Sequence, residues 1–147
     1  MKGDVEIRAA RESDLDAIHR LESACFPVPW RREFFHSELY QGGRVCLVAI
    51  RAGQLAGYVF AMTIIDEMHI NKIAVAATER RRGIAVSLMN LCIEAAKKKS
   101  VRLLSLEVRE SNTGAQGFYR HLGFESSYVR PRYYPDGEAA VVMTRNL

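Results

Sequence analysis

A chain of 147 residues, 48% of them hydrophobic, can bury one core and is too short for two, so a single domain over residues 1–147 is expected. Its 21 Lys and Arg against 17 Asp and Glu leave a net charge of +4, which suits an anionic partner but is too mild for a dedicated nucleic-acid binder; no direct nucleic-acid contact is expected. Three scattered cysteines without a CxxC, four histidines without ligand spacing, and no apolar run of signal-peptide or membrane-span length lead us to expect a cytoplasmic protein with reduced thiols, no metal and no membrane partner.

The segment VEIRAA reads as a first strand. SDLDAIHRLESACF follows as a helix, with Ser13 as its N-cap and Leu15, Ile18, Leu21 and Cys25 at helical spacing. The two prolines of PVPW force an extended break, after which RREFFHSELYQGG predicts a second helix stopped by Gly42 and Gly43. VCLVAIRAGQLAGYVFAMTII predicts two strands joined at Ala52, Gly53 and Gln54, and EMHINKIAV a further strand. A long helix is predicted from Gly83 to Lys99, where Ile84, Leu88, Leu91, Cys92 and Ala95 share one face and the lysines complement the negative end of the dipole. In the next strand, VRLLSLEVRE, Leu104, Leu106 and Val108 form a core face and Ser105, Glu107 and Arg109 a polar one. TGAQGFYRHLGF predicts a short helix ended at Gly123, and YVRPRYYPDGEAAVVMTR a hairpin turning near PDG. Antiparallel strands with inserted helices make the fold class mixed α/β, α+β-like.

Arg80, Arg81 and Arg82 stand directly before Gly83, at a helix start whose dipole disfavours cations, so the run points to an anion. A P-loop would need a lysine followed by Ser or Thr after its second glycine, and neither that nor a dinucleotide fingerprint is present. What remains is Arg80-x-x-Gly83-x-Ala85, whose small residues let backbone N–H groups approach a diphosphate. On charge patterning alone, a solvated basic loop stays equally open.

In order and spacing, NKIAV, RRRGIA, LEVRESN and FYRHLGF resemble the GNAT acetyltransferases, whose R/Q-x-x-G-x-G/A motif binds the pyrophosphate of acetyl-CoA. The resemblance covers essentially the whole chain and implies a GNAT fold with a central, mostly antiparallel sheet flanked by helices. ACFPVPW, LEVRESN and R-x-x-YYPDGE further resemble the RimI-type ribosomal-protein alanine N-acetyltransferases, which implies acetyl transfer to a protein's N-terminal amine, the alanine of a small-subunit ribosomal protein. Alternatives are a small-molecule amine or a lysine side chain as acceptor, or a non-catalytic ribosome- or RNA-binding module, for which ERRRG lacks interleaved aromatics. Arg31 and Ala139 depart from the family, which often has a serine cap and an aspartate there.

By pattern alone Glu107 is a solvated strand carboxylate; the resemblance places it at the general base, a task eased by an α-amine pKa of about 7.7 to 8.0. Tyr119 by pattern is a packing aromatic, although Phe118 and Leu122 suit that role better; the resemblance places it at the general acid. A phenol near 10 protonating a thiolate near 8.5 is uphill, so hydrogen bonding to the developing thiolate is its expected contribution. Asn112 reads as a helix cap, and the resemblance adds a coenzyme contact. Ile73, Ala74 and Val75 read as core, while the resemblance implies that their backbone holds pantetheine amides and polarises the thioester. The resemblance likewise implies that Arg80, Arg81, Arg82, Gly83, Ile84, Ala85 and Val86 cradle the diphosphate. Trp30, Tyr133 and Tyr134 are the aromatic candidates for acceptor contact, although tyrosines in a hairpin are also ordinary strand formers. Direct attack without an acyl-enzyme is expected, since no cysteine or serine adjoins a recognisable base.

Overall fold

The computed structural model describes residues 4–147, so the first three residues of the N-terminal segment lie outside it. Its elements run β1 (Val5–Ala9), α1 (Leu15–Cys25), α2 (Arg32–Leu39), β2 (Arg44–Arg51), β3 (Gln54–Ile64), β4 (Glu67–Val75), α3 (Ile84–Lys98), β5 (Leu103–Arg109), α4 (Thr113–His121), β6 (Glu125–Arg130) and β7 (Ala140–Asn146). The strands form one sheet in the order β1-β2-β3-β4-β5-β7-β6. Every neighbouring pair is antiparallel except β4 and β5. This is the mixed α/β architecture expected. No helix among the described residues is long and apolar enough to cross a membrane.

Helices cover both faces. On one, α3 and α4 pack Leu88, Met89, Cys92 and Tyr119 against Val59, Met68, Leu104 and Leu106 of the sheet. On the other, Leu15 and Ile18 of α1 and Phe35 of α2 meet Val48, Tyr58, Phe60 and Ala74. Phe35 lies edge-on to Phe60 at 5.0 Å and to Tyr58 at 5.8 Å, the geometry in which ring edges meet electron-rich faces.

Four local expectations are corrected. Ser13 is not the cap of α1: it lies in a 3-10 turn, Glu12–Asp14, where buried Asp14 accepts the Arg11 N–H at 2.8 Å and pairs with Arg8 at 2.8 Å. Leu91 is exposed, and the buried stripe of α3 runs through Ile84, Leu88, Met89, Cys92, Ile93 and Ala96; a 3.6-residue period admits two adjacent stripes, and the sheet takes the second. The β2–β3 turn is the two-residue Ala52–Gly53, both at positive φ, and Gln54 already belongs to β3. The last hairpin has a long connection, 131–139, so Tyr133 and Tyr134 stand in a loop and not in strands.

The seam between β4 and β5 positions the site. These strands register only at Glu67↔Leu103, Met68↔Leu104 and His69↔Ser105. Just beyond, β4 holds one residue more than β3, since Phe60 pairs with Lys72 and Ala61 with Ile70. Such a bulge at Asn71 bends the strand and ends its pairing. Ile73, Ala74 and Val75 keep β3 on one edge and, among the described residues, pair with no strand on the other. Gly57 permits the tight approach on the β3 side, where a Cβ would come within 2.8 Å of the Ala74 carbonyl oxygen.

Candidate active site

Where β4 and β5 part, a cavity of about 470 Å³ opens. Ile73, Ala74 and Val75 form one wall, Asn112 and Tyr119 another, and Arg80 and Ala85 lie at one end. A second cavity of about 280 Å³ shares Val75, Arg80 and Ala85 and extends to Arg81, Gly83, Ile84 and Val86 at the start of α3. The first N–H groups of a helix have no intrahelical partner; here Ser87 makes the first return bond, to the Gly83 carbonyl at 3.0 Å, leaving the N–H groups before it for a ligand. Arg81 and Gly83 adopt left-handed φ of 65° and 77°, winding the loop tightly, and a Cβ on Gly83 would meet no protein atom within 4 Å. Open space, free N–H groups and two arginines suit an extended anion such as a diphosphate. Arg82 lines neither cavity: Glu79 of the preceding turn holds it at 3.8 Å and also binds Arg51 Nη2 at 2.6 Å.

Glu107, on the polar face of β5, lies outside both cavities in a chain of side chains that sequence reasoning missed. Its Oε2 meets His69 Nε2, His69 Nδ1 meets Asn71 Oδ1, and Asn71 Nδ2 donates to Glu38 Oε1 at 3.3 Å. Arg44 in turn holds Glu38 at 3.1 Å. A carboxylate only accepts, so Glu38 orients the Asn71 amide with its oxygen toward His69. Both ring nitrogens then face oxygens, the environment of an imidazolium. Burial opposes charge on His69, but the hydrogen bonds it donates to Glu107 and Asn71 outweigh it and raise the pKa. Burial likewise pushes the Glu107 carboxyl up, while the hydrogen bond and charge of His69, with Arg130 beyond, outweigh it and hold the pKa below the ordinary value. The sequence did carry a signal, since His69 and Asn71 alternate with buried Met68 and Ile70 as Glu107 does with Leu106 and Val108.

Tyr119 is only 9% exposed, packed edge-on between Phe118 and Phe124, and burial, with Tyr134 adding, pushes its phenol up to about 12. It therefore stays protonated at neutral pH and is more buried than Phe118, against the packing roles expected. Tyr134 lines neither cavity, and its phenol is raised to about 12 chiefly by burial, with Tyr133 adding. Its ring lies under Arg109 at 4.2 Å and edge-on to Tyr133 at 5.0 Å. Trp30 is half-buried between Phe34 and Phe35. Asn112 is indeed a cap, accepting the Ala115 N–H at 3.1 Å, while lining the larger cavity. Arg31 caps α2 without a side-chain hydrogen bond; Arg32 ties that helix to Asp16 of α1 at 2.7 Å instead. Among the described residues no three His, Cys, Asp or Glu group as a metal site.

The Acetyltransferase (GNAT) family model matches residues 15–124, which include the parted strands, the cavity wall and the N-terminus of α3. The chain belongs to the GNAT acetyltransferase family. Acetyl-CoA is thus the acyl donor of this acetyltransferase. A Bacillus subtilis (strain 168) protein provisionally named [ribosomal protein bS18]-alanine N-acetyltransferase is 35% identical over 145 residues, 97% of this chain and 96% of that one. The Escherichia coli (strain K12) [ribosomal protein bS18]-alanine N-acetyltransferase is 33% identical over 141 residues, 93% of this acetyltransferase and 94% of its relative. The crystal structure of the ribosomal-protein-S18-alanine N-acetyltransferase from Escherichia coli matches with a TM-score of 0.89 at 29% identity, over 97% of this chain and 94% of the other.

Proposed function

We propose that this acetyltransferase moves the acetyl group of acetyl-CoA to the N-terminal α-amine of a protein, the alanine of a small-subunit ribosomal protein, in the cytoplasm. The observation that carries the amine assignment is the Glu107–His69 pair. A carboxylate held below its ordinary pKa is a weak base, so the acceptor must arrive partly as free amine, which an α-amine at about 7.7 to 8.0 supplies far more readily near neutral pH than a lysine at about 10.4. The amine nitrogen attacks the thioester carbonyl, whose oxygen gains charge that β4 backbone N–H groups stabilise. Glu107 takes the amine proton, the carbon–sulfur bond breaks, and Tyr119 donates a hydrogen bond to the departing thiolate. No acyl-enzyme intervenes: Cys46 and Cys92 are pushed up to about 11 and 12, chiefly by burial, and among the described residues no cysteine bonds to a base.

The ribosomal acceptor is supported by the names of the Bacillus subtilis and Escherichia coli relatives. Trp30, Tyr133 and Tyr134 form the acceptor side, and Arg80, Arg81 and the N–H groups of Ile84, Ala85 and Val86 the diphosphate side. Peptides beginning with alanine, other small residues or large ones, each with a free or blocked N-terminus and an internal lysine, test this by mass shift. Acetylation of the free alanine peptide alone or fastest is expected. Equal rates on a blocked peptide would assign the lysine side chain instead.

A further inference from the structure

The most deeply buried charge pair among the described residues has no task in the mechanism. Glu22 has no exposed surface and interrupts the apolar stripe of α1. Its Oε2 accepts from Lys72 Nζ at 2.9 Å and from the Trp30 backbone N–H at 2.9 Å, and its Oε1 accepts from the Tyr58 hydroxyl at 2.5 Å. Lys72 Nζ also sits 3.7 Å from the centroid of the Phe26 ring and 5.5 Å from that of Trp30. Helix α1, the connection between α1 and α2, β3 and β4 therefore converge on a single carboxylate.

A buried ion pair is a poor way to gain stability, because losing water costs the two charges about as much as their attraction returns, and apolar residues of similar volume often serve as well. What the pair supplies is direction. Residues 26–31 lie outside any helix or strand, so hydrogen bonds of fixed geometry must set where Phe26 and Trp30 go. Phe26 lines the 470 Å³ cavity, and Lys72 is the residue just before Ile73, at the bulge where that cavity opens.

We propose that Glu22 and Lys72 form a latch that sets Phe26 and Trp30 as the acceptor-binding lip, with Phe26 at the border this lip shares with the coenzyme cavity, making both charged residues positioning residues chiefly for the acceptor. The proposal rests on the assignment of Trp30 to the acceptor side made above. On this view Lys72 acts through Phe26, and Glu22 through the Trp30 backbone. Neither touches the reacting atoms.

Trp30 is the sole tryptophan, so its emission reports the lip directly. Three variants grade the latch: Lys72→Arg keeps the cation, Glu22→Gln with Lys72→Met removes both charges but keeps an acceptor for Trp30, and Glu22→Leu with Lys72→Met removes that too. Along this series Trp30 emission should shift to longer wavelength and acrylamide quenching should rise. The KM for an N-terminal peptide should rise from near wild type to about tenfold, with kcat changed little and the Kd for acetyl-CoA rising less than the KM, since Phe26 is one of many residues lining that cavity; an equal rise in that Kd would overturn the assignment to the acceptor. If the Leu–Met variant fails to fold, the Gln–Met variant, which leaves fewer polar groups unpaired, carries the test. Wild-type emission and KM in a folded charge-free variant would overturn the latch, as would altered emission with unchanged KM, or a fall in kcat alone. Emission and quenching are read without acceptor, and if the wild type acetylates lysine instead, KM is read on that peptide. The latch and the N-terminal assignment thus fail separately.

Discussion

The two sides of the site, the one we propose for the coenzyme and the one we propose for the acceptor, are built in opposite ways. The first comes mainly from one nearly continuous stretch, Ile73 to Val86, closed by α4 and by Cys25 and Phe26, and it works through backbone: an unpaired strand edge, left-handed residues and free N–H groups. The second collects side chains from α1, α2, β4, β5 and the 131–139 loop and holds them by charge, with Glu107–His69, Glu22–Lys72, Arg44–Glu38 and the pairs of Arg109 with Asp136 and Glu138 among its links. A site made of backbone tolerates exchanged side chains and fails when its conformation is strained. A site made of charge networks should behave the other way round.

The largest effect is expected on the charged side. Glu107→Gln should lower kcat about 10²- to 10⁴-fold at saturating acetyl-CoA, and residual activity should climb with pH as the free amine fraction grows. Wild-type turnover across that range would remove the carboxylate from the chemistry. Next, Tyr119→Phe should cost on the order of 10²-fold in kcat while leaving the acidic limb of the pH profile in place. Its Tm should hardly move, because the edge contacts with Phe118 and Phe124 survive. A large Tm loss with normal kcat would make Tyr119 a packing residue only.

On the backbone side, the joint change Arg80→Ala and Arg81→Ala should raise the calorimetric Kd for acetyl-CoA about tenfold, and less at high salt. Arg82→Ala should leave Kd alone, since that guanidinium belongs to Glu79. Equal effects from Arg82 would erase the distinction drawn between the three. Gly83→Val is expected to weaken binding and also lower Tm, because its φ of 77° strains any side chain however much room there is.

The smallest effect concerns stability against pH. The Glu107 pKa is lowered on folding, so its contribution is complete above the ordinary carboxyl value of 4.5 and is lost as pH falls through the folded value. The His69 pKa is raised, so its contribution is complete below the ordinary imidazole value of 6.5 and is lost as pH rises through the folded one. Thermal scans should show the pair stabilising most between those two pH values. His69→Gln should flatten both edges, and an unchanged profile would mean that the pair does not exist in solution.

The same contrast governs what could be read from the sequence. The Arg80-x-x-Gly83-x-Ala85 segment is local, so its spacing already implied a helix start, with an anion site or a solvated basic loop both open on charge alone. Only the diversion of Arg82 to Glu79 escaped notice. Glu107 was visible as one polar residue on an alternating strand, but its partner was not: nothing local says that β4 and β5 are neighbours, and without that His69 is simply an isolated histidine. Glu22 was legible in principle as a carboxylate on the stripe of Leu15, Ile18 and Cys25. Lys72 was not, because the bulge at Asn71 shifts the alternation and assigns it to the same face as its neighbour. Met89 and Ile93 displaced Leu91 from the core for a related reason, since a helix rotates to fit a sheet its own sequence does not describe.

The three-pair seam between β4 and β5 also bears on how the molecule opens. β2, β3 and β4 form a meander of sequence-adjacent hairpins, whereas joining β5 to β4 requires α3 to cross over first, a contact of higher loop-closure cost. The two halves of the sheet should therefore form early and join late, and amide hydrogens along the seam should exchange with solvent sooner than those of β2 and β3. Acetyl-CoA seated across that seam would bind both halves at once. By mass action it should then raise the melting temperature and slow exchange there most, so that the acyl donor doubles as the clasp of the sheet.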